Sequence, residues 1–171
     1  MRLELASLLP AVPLGLGATA VMDVWGAALR RLGVPSLEPA MLGRWVGHLG
    51  RGTFRHVDIR QATPVRHERA LGLVAHYAIG VTFAGLLLVF VGADWLVAPT
   101  LAPALLLGVV TVVAPWFILQ PGLGAGVASS KTKTPVFNAL KSLVTHTVFG
   151  LGLYLAAEVG AALRFTPGAL R

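Results

Sequence analysis

Four stretches of the chain, residues 5 to 29, 70 to 93, 95 to 130 and 142 to 163, are nearly free of charge, and the polar residues gather between them. About 20 predominantly apolar residues cross a bilayer as a helix, so each stretch is long enough. Spans are expected at 5–29, 70–91, 100–120 and 138–163, joined by long loops at 30–69 and 121–137. As a water-soluble fold, the chain would need four helices apolar on every side and too little protein to bury them. The pattern therefore predicts an all-α, single-domain membrane protein, a four-helix transmembrane bundle. Pro10 and Pro13 fall in the first turns of span one, where proline is tolerated. Pro64 marks an expected first helical position for span two. Pro115 frees the carbonyl of Thr111 and predicts a bend in span three. In the first long loop, Leu37, Met41, Leu42, Trp45, Val46 and Leu49 recur at helical spacing, with Arg44 and His48 elsewhere around the turn. That predicts a short interfacial helix in the headgroup region. The stretch after it, "GRGTFRHVDIRQATP", reads as a loop.

Charge adds an orientation. The net charge is +7, and such an excess often signals nucleic acid. Here it is distributed by loop, and no nucleic-acid motif is present. Arg30, Arg31, Arg44, Arg51, Arg55, Arg60, Arg66, Arg69, Lys131, Lys133 and Lys141 lie in or beside the two long loops, against only Arg2, Arg164 and Arg171 at the termini. Eleven against three places both long loops in the cytoplasm and both termini in the periplasm of a bacterial inner membrane. The bilayer and its anionic headgroups are the expected partners of the basic loops; a homo-oligomer is compatible with so small a chain. Charged residues are 12% of the total, about half the level of an ordinary soluble domain. There are no cysteines, which excludes disulfides and thiolate metal sites. Ala18-Thr19-Ala20 resembles a signal-peptidase site, but the apolar run continues to Leu29 and ends at Arg30-Arg31, so a retained first span is expected.

Within the spans, three ionisable residues stand out. Asp23 lies seven residues before Arg30, His76 seven after Arg69, and His146 five after Lys141. At 1.5 Å per residue all three sit roughly 7–10 Å inside the same boundary. Charged groups at such depth face the bundle interior and pair with one another. Small residues share their stripes: Gly15, Thr19, Asp23, Ala27; Gly72, His76, Gly80, Ala84; Ser142, His146, Gly150. An intramembrane cluster of Asp23, His76 and His146 is expected, closed by Thr19, Trp116 and Gln120, with Glu68 as a gate on the cytoplasmic side or as an ion-pair partner of Arg66 or Arg69. Three uses compete. A proton or ion relay would employ the two histidines as titrating groups and Asp23 as counter-ion, for linked permeation or sensing. Alternatively, His76 and His146, diagonal if the spans pack in sequential order, would ligate haem or a transition metal. In the third, the residues fix helix register in a structural or accessory subunit. None of these residues defines an enzymatic reaction.

The runs "LVAHYAIG" (73–80) and "LVTHTVFG" (143–150) match in order, and Gly17, Thr19 and Trp25 are echoed by Gly108, Thr111 and Trp116. Two hairpins related by an internal pseudo-twofold along the membrane normal would produce such echoes. Other motifs dissolve in context. Gly15, Gly17 and Ala20 mimic a dinucleotide fingerprint inside a lipid span, and "GVASSKT" mimics a phosphate loop without its second glycine or a strand before it. His48, His56 and His67 sit in the arginine-rich loop, where solvated side chains are the simpler expectation over metal ligation.

The segments "GLGATAVMDVW", "PSLEPAMLGRWVGHLGRGTFRH", "PVRHERALGLVAHYAIG", "APWFILQPGLGAG" and "LVTHTVFGLGLYL" together resemble the bacterial membrane proteins called domain of unknown function 2938, over about Gly15 to Leu155. Family members commonly read Gly-Glu after "PV"; this chain has Arg66 and then His67-Glu68. The resemblance implies a four-span inner-membrane protein and no particular activity.

Overall fold

The computed structural model describes residues 8–165. Residues 5–7 of the first expected span lie outside the described residues, as do Arg2, the Arg164 side chain and Arg171. The described chain is all-helical: α1 (Ala11–Arg31), α2 (Pro39–Leu49), α3 (Glu68–Val91), α4 (Leu101–Thr111), α5 (Gln120–Leu123) and α6 (Pro135–Phe165). Four segments are long and apolar enough to cross a membrane: Ala11–Arg31, Glu68–Val91, Leu101–Leu123 and Pro135–Leu163. Their outward faces carry Val24, Val74, Phe90 and Leu106, each more than 60% exposed. Apolar surface of that extent marks contact with something other than water.

α1 packs against α3 on one side and α6 on the other; α6 also packs along α4, and α3 touches α4 more sparsely. The spans thus form a ring in sequence order, and α3 and α6 lie diagonally, with Phe83 and Phe149 meeting edge-to-face at 6.1 Å between centroids. The contacts rest on small residues. A Cβ added at Gly80 would strike Thr19, and one at Gly15 would strike the backbone of Val81. In the other hairpin, a Cβ at Gly108 would stand 2.6 Å from the His146 carbonyl, and one at Gly150 would stand 2.6 Å from the Ala104 carbonyl. Where lipid removes the hydrophobic drive between helices, such close approach supplies the attraction through dispersion.

Pro115 is absorbed in a wider turn. Residues Pro115–Leu119 form one π turn, after which α5 continues to Leu123. A proline lacks the N–H that would close an α turn, and a π turn re-registers the ladder around it. At the opposite end of that helix, the connection from α3 to α4 is a short 3₁₀ turn, Ala93–Leu96, whose Trp95 and Leu96 are buried.

The two long loops meet at one end, here termed the basic end. The start expected at Pro64 is not observed: α3 begins at Glu68, and His67 before it has φ 58°. Of the residues before α3, Val65 packs against Gly47 of α2. That helix lies directly on α3, so closely that a Cβ at Gly43 or at Gly72 would overlap the facing backbone. Leu42 and Trp45 are buried with Ile59. Arg44 and His48, expected away from the apolar face, are buried too. Residues 50–67 are irregular in secondary structure but tied down, because His56 N–H donates to Gly122 O (3.0 Å) and Ile59 N–H to Leu123 O (3.1 Å).

Candidate functional site

Asp23 on α1 and His76 on α3 meet. His76 Nε2 lies 3.0 Å from Asp23 Oδ1, and the Tyr77 hydroxyl donates to Asp23 Oδ2 at 2.9 Å. Both carboxylate oxygens are engaged, one by each of two consecutive residues of α3. The His76 ring stands edge-on to Tyr77, with centroids 5.8 Å apart. The helix positions these groups through its glycines: Gly72 lets α2 in on one side, and Gly80 admits Thr19 and Gly15 on another, which brings α1 close enough for a short carboxylate to reach across. Side-chain exposure is 42% for Asp23 and 28% for His76, so the pair stands at the edge of the helix contact and not sealed within it.

His146 does not join that pair through a hydrogen bond. Its Nδ1 lies 3.0 Å from Thr111 Oγ1 on α4, and the same hydroxyl lies 2.7 Å from Gly108 O. Because a threonine has one proton, its donation to the Gly108 carbonyl leaves Oγ1 to accept from His146 Nδ1–H. Thr19 follows the same pattern in the first hairpin, donating to Gly15 O at 2.7 Å. Of the expected closing residues, Thr19 therefore fills the α1–α3 contact. Gln120 Nε2 donates to Ser142 Oγ at 2.9 Å. Trp116 Nε1 and Gln120 Oε1 are buried without a protein partner, a donor and an acceptor one helical turn apart. Trp25 Nε1 reaches Thr145 Oγ1 at 3.3 Å and links α1 to α6 beside His146.

A metal or haem between His76 and His146 would use His76 Nδ1 and His146 Nε2. These are the nitrogens opposite the ones engaged by Asp23 and Thr111, and such outer contacts are what orient ligating imidazoles. Among the described residues, no three His, Asp or Glu side chains come together to hold a metal ion.

Glu68 pairs with neither Arg66 nor Arg69. Its carboxylate takes the Arg44 fork, with Nε to Oε2 and Nη2 to Oε1 both at 2.8 Å, and Val65 N–H donates to Oε2 at 3.1 Å. Arg44 Nη1 also faces three backbone carbonyls, those of Ile59, Arg60 and Ala62, at 3.1–3.2 Å. The hydrogen-bonded carboxylate raises the Arg44 pKa above its ordinary value, against the opposing effect of burial. The expectation of solvated histidines fails for two of the three: His48 is buried and His56 partly so, and the two rings bond each other at 2.7 Å. Arg44, Tyr77 and Thr111 were missed as site residues. Tyr77 carried a signal, a hydroxyl adjacent to an intramembrane histidine. Thr111 carried one as the echo of Thr19. Arg44 carried none beyond its position on α2.

Residues 12–160 match the family described as protein of unknown function DUF2938. The chain belongs to that family. No curated protein and no solved structure matches it. The family match spans α1 through most of α6, so Asp23, His76, Tyr77, Thr111, His146 and the α2 assembly all lie within the family's boundaries.

Proposed function

We propose that this chain is a four-span protein of the bacterial inner membrane, with the basic end in the cytoplasm and both termini in the periplasm, that carries out proton- or ion-linked permeation or sensing. The observation that carries the reading is the Asp23–His76 contact at 3.0 Å between two apolar helices, with Tyr77 on the second carboxylate oxygen. An isolated ionised group is costly at that depth, and a carboxylate opposite an imidazole lowers the cost while offering two places for one proton. Both side chains remain partly exposed, so the pair is not sealed inside the helix contact. His146 with Thr111 is the corresponding station of the second hairpin, and the buried, unpaired Trp116 Nε1 and Gln120 Oε1 are suited to a water on that side. Glycine crossings and back-bonded threonines in both hairpins favour an internal pseudo-twofold. The exposed arginines of the long loops suit anionic headgroups.

The test is flux in proteoliposomes under an imposed potential, followed with an entrapped pH dye. Wild-type protein is expected to conduct protons or exchange them for an ion above the level of empty vesicles. Asp23→Asn and His76→Gln are expected to lower that flux about tenfold or more. Wild-type flux equal to that of empty vesicles, or Asp23→Asn flux equal to wild type, removes the reading. If the substitutions only lower the unfolding midpoint, the residues serve helix register.

A further inference from the structure

His48 and His56 form a second titratable pair, at the basic end and outside the apolar helices. His48 lies in the last turn of α2 and His56 in the irregular segment that follows. Three contacts define them. His48 Nδ1 stands 2.7 Å from His56 Nε2, His48 Nε2 stands 3.0 Å from Thr63 O, and His56 Nδ1 stands 2.9 Å from Gly122 O. The ring centroids are 4.9 Å apart with planes inclined by 32°. That separation exceeds the nitrogen–nitrogen distance by about two ring radii, so the rings meet edge to edge and do not stack.

Carbonyl oxygens only accept, so His48 Nε2 and His56 Nδ1 must both carry hydrogen. The remaining two nitrogens then face each other. In two neutral imidazoles both would present lone pairs, and at 2.7 Å those repel. Three hydrogen bonds need three N–H groups, and two neutral rings provide two. We propose that His48 and His56 hold one excess proton between them, as a cation site whose ligand is H⁺, and that this proton latches the irregular segment and α2 onto the basic end of the α4–α5 helix.

A metal ion fits the spacing poorly. Zinc lies about 2.0–2.1 Å from each imidazole nitrogen, which at a tetrahedral angle holds the two nitrogens about 3.3 Å apart. Beside the pair the buried charges cancel, and the exposed arginines, weakened by solvent screening, act against the added proton, so it is the three hydrogen bonds that hold it. On α2, Arg44 lies one turn before His48, but its charge is matched by Glu68 at the start of α3, and Glu68 also interacts electrostatically with His48. The irregular segment contributes Arg51, Arg55, Arg60, Arg66 and His67, all exposed, and the partly buried Asp58, whose Oδ1 accepts from Arg60 N–H. Residues 120–123 have no titratable side chain. Loss of the shared proton to solvent base removes the ring–ring bond and leaves opposed lone pairs. The strain is relieved by moving His56 away from α2, and His56 brings with it the backbone bonds to Gly122 O and Leu123 O.

The experiment uses the full chain in lipid nanodiscs, labelled with ¹⁵N on the histidine rings. At neutral pH three of the four ring nitrogens of this pair should be protonated, with a coupling across the shared hydrogen bond. Raising the pH until the third proton leaves should reduce exchange protection of the His56 and Ile59 amides about tenfold, after correction for intrinsic exchange. His48→Gln assigns the signals; should it fail to fold, subtraction with His67→Gln, His76→Gln and His146→Gln assigns the same resonances. Two or four ring protons at neutral pH, protection that ignores loss of the third proton, or a stoichiometric metal ion removed by chelator would each overturn the proposal.

Discussion

Replacing Arg44 by alanine removes the fork that holds Glu68 and the donors that face three backbone carbonyls. The magnitude follows from what is left behind. Side-chain exposure is 8% for Arg44 and 19% for Glu68, so water reaches neither well. Breaking a pair of this kind by deleting one partner costs about 3–5 kcal/mol, mostly because the surviving charge is stranded. The carbonyls of Ile59, Arg60 and Ala62 lose a charged donor as well, but they belong to an irregular segment that can turn toward water. The cost should therefore appear as opening of the basic end and not as unfolding of the four long helices, whose contacts with one another Arg44 does not touch. At 1.4 kcal/mol per tenfold, exchange protection of the His56 and Ile59 amides should fall by about two to three and a half powers of ten. Amides in the middle of α3 and α6 should keep theirs. Hydrogen exchange read by mass spectrometry on detergent-solubilised protein separates the two sets. Arg44→Lys keeps the charge but not the fork, and should lose roughly half as much. The double variant Arg44→Met with Glu68→Gln strands no charge and should lose less than Arg44→Ala alone. If Arg44→Ala leaves the protection of Ile59 within about threefold of wild type, the pair is not what holds this end closed.

Two further outcomes test the membrane core. Gly108→Ala and Gly150→Ala each place a methyl 2.6 Å from a facing carbonyl, so α4 and α6 must separate. A loss of about 1–3 kcal/mol in detergent unfolding is expected for each. Gly160→Ala, where nothing lies within 4 Å, should instead gain up to about 1 kcal/mol from helix propensity. Tyr77→Phe leaves Asp23 Oδ2 without its hydroxyl donor. It should lower flux or sensing less than Asp23→Asn does while changing unfolding by about 1 kcal/mol or less, since Asp23 is partly exposed. Equal effects of the two substitutions on flux would mean that the tyrosine is as central as the carboxylate.

The four long helices were legible because an apolar run of span length has few alternatives. The match of depth between Asp23 and His76 was legible for a related reason: distance from a basic boundary counts residues, and a helix converts residues to height. Rotation was not legible. His146 lies near enough to His76 to interact with it electrostatically, yet its hydrogen bond goes to Thr111 on α4, and a change of about 100° per residue around a helix axis makes that partner invisible to a stripe drawn on small residues. The basic end was read least well. Arginine and histidine in a loop look solvated, and nothing in "GRGTFRHVDIRQATP" announces that its carbonyls will need internal donors.

That need explains where the buried polar residues fall. An irregular segment pressed against apolar helices cannot satisfy its backbone from water on the packed side, so donors must come from protein. Arg44 serves Ile59, Arg60 and Ala62, His48 serves Thr63, and His56 ties the segment to Gly122. The basic residues of this end thus divide by task. Arg51, Arg55, Arg60 and Arg66 are exposed, with Arg66 Nε on the neighbouring His67 ring, whereas Arg44 donates to backbone carbonyls and is neutralised by Glu68. Discounting Arg44 turns eleven basic side chains at this end into ten, against three at the termini. The asymmetry behind the proposed orientation is therefore carried mostly by exposed arginines and lysines, with Arg30 bonded to Ser36 and Lys141 to the Pro35 carbonyl as the ones that also tie the first loop down. Substituting the exposed arginines should weaken orientation and lipid contact without opening the basic end, while substituting Arg44 should do the reverse.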